Sequence, residues 1–101
     1  MRCENGTICL SVLRQMGGEG EEKGEDYFVN TWLPHHGELC EEHGVKLLRW
    51  GLPFGVAEDH VYVYETDLPI AGFMEFKGAV STVSGERLWD YSKTTVLYCP
   101  N

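Results

Sequence analysis

Apolar positions change their spacing along this chain, and each change marks an element. Thr7-Ile8-Cys9-Leu10-Ser11-Val12-Leu13 places Ile8, Leu10 and Val12 at period two among β-branched residues, which predicts a first strand. From Glu25 or Asp26 the repeat becomes helical. Phe28, Trp32, His36 and Leu39 lie four, four and three positions apart and so share one helix face. Asp26 suits the exposed amides near the start, and Gly44, just after His43, suits the left-handed residue that closes many helices. Pro34 and Gly37 interrupt the pattern. A proline inside a helix removes a hydrogen bond and costs about 3 kcal/mol, so a kink or split is expected near Leu33. In a competing reading, residues 27–33 form a strand and only 34–43 are helical, with Pro34 in the first turn.

Val45-Lys46-Leu47-Leu48-Arg49-Trp50 and His60-Val61-Tyr62-Val63-Tyr64-Glu65 read as two further strands. Gly51-Leu52-Pro53-Phe54-Gly55 and Ala57-Glu58-Asp59 connect them, which makes them antiparallel neighbours. Thr66 or Asp67 can cap a second helix with Pro69 in its first turn and a stripe of Ile70, Phe73, Met74, Lys77 and Val80. Gly85 closes that region, and Thr94-Thr95-Val96-Leu97-Tyr98-Cys99 supplies a final strand, beginning as early as Leu88. The order is βαββαβ, an α+β arrangement filling residues 1–101 as a single domain. An acidic, glycine-rich loop is expected at 16–25. It lacks the G-K-[ST] ending of a phosphate-binding loop and carries anionic side chains where an anion would sit.

Sixteen acidic residues against eight basic ones give a net charge of −8, which repels nucleic acid and anionic lipid surfaces. No apolar run approaches the roughly 20 residues of a membrane-spanning helix, so no membrane is expected. The opening Met1-Arg2-Cys3-Glu4-Asn5-Gly6 has no secretory pattern, which points to a cytoplasmic protein. Cys3, Cys9, Cys40 and Cys99 lack paired C-x-x-C spacing, and in that compartment four reduced thiols are the expectation.

His36 is the candidate catalytic residue, because imidazole titrates near neutrality and can act as a base or hydrogen-bond donor. Phe28, Trp32, Trp50 and Tyr62 are the candidate substrate-binding residues, able to pack a flat apolar or aromatic ligand. The bland alternative makes Phe28 and Trp32 core and His36 a packed helix residue. His36, Cys40 and His43 share a helix face but lack the H-E-x-x-H order, so no metal site is expected, and nothing singles out a cofactor. Asp59 and His60 are adjacent on a strand and point to opposite faces, so they cannot form one dyad.

The segment Ile8-x-Leu10-x-Val12-Leu13-Arg14, followed by Phe28-x-x-Thr31-Trp32-x-x-x-His36-x-x-Leu39, resembles the opening of EthD-like proteins of the dimeric α/β-barrel superfamily. Thr31 stands where that family usually carries a tyrosine. The resemblance implies a ferredoxin-like antiparallel sheet with helices on one face, pairing as a homodimer into an α/β barrel. It also implies a small aromatic or polyketide-like ligand, bound or turned over by a cofactor-free monooxygenase, isomerase or decarboxylase. The alternative is a non-enzymatic ligand-binding or protein-interaction module. Fold alone does not choose between these.

Overall fold

Alternation along β1 (Ile8–Met16) organises the sheet. Leu10, Val12 and Arg14 turn to one face and are buried there, while Ser11 and Leu13 turn to the other and are half-buried. In this computed structural model, which describes residues 8–17, 24–83, 86–87 and 89–97, β1 lies between two antiparallel neighbours. On one side β3 (His60–Thr66) pairs with it, Ile8 opposite Thr66 through Arg14 opposite His60. On the other, β6 (Trp89–Leu97) pairs from Cys9 opposite Leu97 to Met16 opposite Trp89. β2 (Val45–Gly51) adds beyond β3, giving the order β2-β3-β1-β6. Two short strands, β4 (Thr82–Val83) and β5 (Glu86–Arg87), pair separately in a ribbon that the sequence pattern did not reveal.

Residues 24–43 are helical, which excludes the strand reading of 27–33. This segment, α1, is wound unevenly. Phe28–Trp32 forms a π-helical turn in which the Leu33 amide bonds the Phe28 carbonyl, five residues back. The α-helical part, Leu33–His43, then begins with Pro34 in its first turn. The break expected at the proline is therefore absorbed as a wider turn just before it, where the missing N–H costs little. Gly44 ends the helix at φ 70°, its amide directed at the Cys40 and Glu41 carbonyls.

The second helix, α2 (Ile70–Ser81), starts after a tie to the first: the Thr66 hydroxyl donates to the Gly44 carbonyl (3.1 Å) and accepts the Leu68 amide (3.1 Å). Its inward stripe is Phe73, Phe76 and Val80. Ile70 and Met74, placed inward by the sequence pattern, are exposed, because the helix packs through residues three and four apart counted from Phe73. Lys77 lies between these faces and reaches the Thr94 hydroxyl on β6 at 2.6 Å. Both helices cover the same face of the sheet, so Trp32, His36, Phe73 and Phe76 meet Tyr62 and Tyr64 there.

One residue sets the second strand apart. The β2–β3 register slips between Leu47 and Arg49, so Leu48 is a bulge. Strict alternation from Val45 would send Trp50 away from the helices; the extra residue turns it back onto the face of Tyr62, its ladder partner.

Cys9 is buried and disulfide-bonded, while Cys40 is buried and free, so the expectation of four reduced thiols fails at Cys9. A disulfide requires proximity in space, which sequence spacing does not report. Residues 18–23 of the acidic loop, Gly85, Leu88 and the Tyr98-Cys99 end of the last strand lie outside the described residues.

Two glycines of α1 and its terminus should respond oppositely to alanine. Gly44→Ala meets no atom within 4 Å but forces a side chain to φ +70°, and should cost about 1 kcal/mol. Gly37→Ala, also free of contacts within 4 Å and inside the α-helix, should add up to about 1 kcal/mol. Urea unfolding of the two variants checks both signs.

Candidate functional site

The helical spacing of Phe28, Trp32 and His36 stacks their rings in series. Phe28 and Trp32 lie 5.5 Å apart at 12°, and Trp32 and His36 4.6 Å apart at 13°. The period-two spacing of His60, Tyr62 and Tyr64 builds a second series along β3, at 6.1 Å and 6.3 Å. The bulged β2 adds Trp50, parallel to His60 within 4° and to Tyr62 within 17°. The two series meet edge to face, Phe28 against His60 at 4.9 Å and His36 against Tyr62 at 5.5 Å.

Where Phe28, Trp50 and His60 meet, the protein opens into a cavity of about 440 Å³. Met16, Val29 and Leu52 complete its apolar wall, and Glu25 lies on it beside Gly24. Phe28 and Trp50 thus line the space, whereas Trp32 and Tyr62 form the layer behind them. His36 lies deeper still: it is 1% exposed and does not line the cavity.

His36 belongs to a buried polar chain. The Arg14 guanidinium donates through Nη1 to the Tyr64 hydroxyl at 2.9 Å, and that hydroxyl lies 2.7 Å from His36 Nε2. The Tyr64 hydroxyl can accept from Arg14 and give its own hydrogen to His36 in the tautomer whose Nε2 is bare. Burial, with a smaller contribution from the Arg14 charge, pushes the His36 imidazole down to about 3, so it is neutral in this role. Burial also raises the Tyr64 and Tyr62 phenols well above their usual range, which keeps both as donors. The Trp32 indole donates to the Val80 carbonyl at 2.9 Å, fixing the ring on which His36 stacks.

Two residues of the site escaped the sequence reading. His60 lines the cavity, and its Nδ1 lies 3.1 Å from the Tyr62 hydroxyl; in the tautomer in which that hydroxyl donates, the ring proton is on Nε2. Burial lowers the His60 imidazole, Asp59 opposes that shift and Arg14 adds to it. Asp59 itself turns away to accept the Met16 amide at 3.1 Å, so the adjacent pair forms no dyad, but His60 sits among the aromatic residues. Its period-two relation to Tyr62 and Tyr64 was the available signal. For Arg14 the signal was a cation at an inward position of β1, in step with Leu10 and Val12.

His36, Cys40 and His43 do not converge. His43 packs edge-on to Phe76, and the Cys40 thiol, 3.9 Å from His36 Nε2, is pushed up to about 11 by burial and stays protonated. Among the described residues, no three His, Cys, Asp or Glu side chains are grouped to hold a metal ion. Nor is any described helix long and apolar enough to cross a membrane.

No protein-family model matches this sequence, and no curated protein does. Solved structures do match. An uncharacterized NIPSNAP-like domain protein from Burkholderia xenovorans superposes with a TM-score of 0.57 at 8% identity, over 94% of this chain and 86% of that one. The chain has a ferredoxin-like fold. A protein of unknown function from Rhodopseudomonas palustris gives 0.52 at 20% identity, over 93% and 82%. A NIPSNAP family protein from Agrobacterium tumefaciens gives 0.51 at 12% identity, over 91% and 90%. At these identities the likeness concerns the fold alone, and none of the three carries an activity to this chain.

The buried imidazole makes stability depend on pH. An unfolded imidazole titrates near 6.5 and that of folded His36 near 3, so between these values the unfolded chain binds the extra proton. Stability should be full above about pH 6.5 and fall toward pH 3, by at most about 1.4 kcal/mol per pH unit from this group. His60, also lowered, acts in the same direction. Urea titrations across this range should give a flatter profile for His36→Gln than for the wild type.

Proposed function

We propose that this chain binds a small, flat, apolar molecule, aromatic or polyketide-like, in the cavity framed by Phe28, Trp50 and His60. The carrying observation is the cavity itself. Its volume of about 440 Å³ is within the usual range for small-molecule sites, and its walls are apolar with one inward-held imidazole. Phe28 and Trp50 offer ring faces and edges for stacking, with Trp32 and Tyr62 supporting them from behind. In this reading the Tyr62 hydroxyl donates to Nδ1, and His60 Nε2–H is the donor for a ligand oxygen. The EthD-like spacing of Phe28, Trp32, His36 and Leu39 supports the same reading.

The enzymatic form of this proposal is a cofactor-free oxygenation, isomerisation or decarboxylation with His36 as base. A base pushed to about 3 is poorly matched to neutral pH, and Trp32 and Tyr62 stand between it and the cavity. Binding is therefore the better supported role. In it, His36 positions Tyr64 and Trp32 and touches no ligand.

Calorimetry with 2-naphthamide as the probe tests this. Trp50→Ala should weaken binding by roughly tenfold, the loss of a stacking face and its buried area. His60→Phe keeps a ring and removes the donor, and should cost about three- to tenfold. His36→Gln should leave affinity within about twofold. A loss in His36→Gln larger than in Trp50→Ala would move the site inward and overturn the assignment.

We further propose that the chain is a homodimer through the sheet face opposite the helices. Leu13, Val61, Val63 and Leu97 lie on that face by register, half-buried, and neither helix packs over them. Light scattering at micromolar concentration should give a mass twice the chain's 11.4 kDa. Val63→Glu should shift it to the monomer, and a wild-type monomer would remove the proposal.

A further inference from the structure

Arg14 is a fixed cation in the middle of an aromatic core. It is 1% exposed, and its one side-chain hydrogen bond among the described residues goes to a neutral phenol, Tyr64. Nη2 has no hydrogen-bond partner among the described residues, and no described carboxylate pairs with the group. Asp59, next to His60 in the chain, is engaged by the Met16 amide and by Gln15. What surrounds the charge is π density: the guanidinium carbon lies 4.6 Å from the Tyr62 ring centre and 5.9 Å from those of Trp32 and Trp89. Ring faces stabilise a cation partly and do not neutralise it. A buried charge without a counter-charge costs stability, and a hydrophobic side chain of similar volume would serve the core as well or better.

The charge stands one ring away from the cavity. Arg14 and His60 are direct partners across the β1–β3 ladder, so their side chains leave the same face of the sheet. The Tyr62 ring beneath the guanidinium bonds His60 through its hydroxyl, and the Trp89 ring lies 5.0 Å from that of His60. Arg14 acts on this wall: behind burial, and against a larger opposing contribution from Asp59, it lowers the His60 imidazole. Arg14 is thus a buried positive charge behind the inner wall in a protein of net charge −8, while Asp59 beside His60 and Glu25 on another part of the cavity lining are negative.

Building on the binding proposal, we infer that the ligand is an organic anion: an aromatic carboxylate, phenolate or enolate whose charged oxygen lies against His60, with Arg14 as its counter-charge through the Tyr62 layer. His60 Nε2–H donates the directional bond and Arg14 supplies the long-range attraction. Repulsion from Glu25 favours entry with the charged end inward.

The test compares an anion with its neutral isostere. By calorimetry at neutral pH, wild-type protein should bind 2-naphthoate on the order of tenfold more tightly than 2-naphthamide, the scale of one charge acting across a few protein layers. Arg14→Met should abolish that preference while leaving 2-naphthamide affinity within about twofold. Arg14→Lys, which keeps the charge and loses the planar fork, should retain most of the preference and covers the case in which the methionine variant fails to fold. Equal affinities in the wild type, or a preference that survives Arg14→Met, would overturn the inference while leaving the cavity proposal standing. Failure of both probes to bind would remove the two together.

Discussion

Period-two alternation along β1 and β3 is the constraint on which everything else rests. With Arg14 opposite His60, Val12 opposite Tyr62 and Leu10 opposite Tyr64, one face receives a cation, an imidazole, two phenols and the aliphatic floor between them. A slip of one residue would exchange this set for Ser11, Leu13, Val61 and Val63, and the helices would have only small aliphatic groups to cover. The register is defended at both ends of the ladder. At one, Asp59 clamps the Met16 amide; at the other, the Thr66 hydroxyl holds the close of α1 and the approach to α2.

Packing so many polar-tipped rings against two helices makes hydrogen bonding as restrictive as shape. Three buried ring tips on this face have specified partners: Tyr64 between Arg14 and His36, Tyr62 on His60, and Trp32 on the Val80 carbonyl. Burial keeps the Tyr62 and Tyr64 phenols protonated and both histidines neutral, so each phenol can donate to the histidine nitrogen that it meets. Arg14, a cation whose Nη2 has no hydrogen-bond partner among the described residues, differs in this from Tyr62, Tyr64 and Trp32.

Features that depend on local spacing were legible in the sequence. The Phe28, Trp32, His36 and Leu39 stripe, the β2–β3 hairpin, and the helix stop at Gly44 follow from periodicity and backbone preference, which act within a few residues. What was not legible depends on partners distant in the chain. The bulge at Leu48, which decides the facing of Trp50, exists only in relation to β3; the inward turn of Phe76 rather than Ile70 is set by where α2 lands on the sheet. The disulfide at Cys9 is a matter of proximity, and with it the compositional argument for a reducing compartment loses force. His36 drew attention as the reactive-looking residue of a good motif, yet the motif reported its stacking position and carried no information about depth.

Depth is what separates the two ends of the aromatic series. At the inner end, His36 has Trp32 stacked on it, Tyr62, Tyr64 and Phe76 around it, and its acceptor satisfied. At the outer end, Phe28 and His60 are the last rings of their series, and a terminal ring in a stack is one neighbour short by construction. Trp50 is brought to the same place by the bulge and remains partly exposed. The flat ligand proposed for this cavity would extend both series by one member and gain the contact that the chain does not supply, with the imidazole at the wall orienting it. The same geometry that makes the inner histidine inert therefore leaves the outer one available. On that physical ground the proposed recognition chemistry belongs at the cavity and not at the most conspicuous residue of the helix.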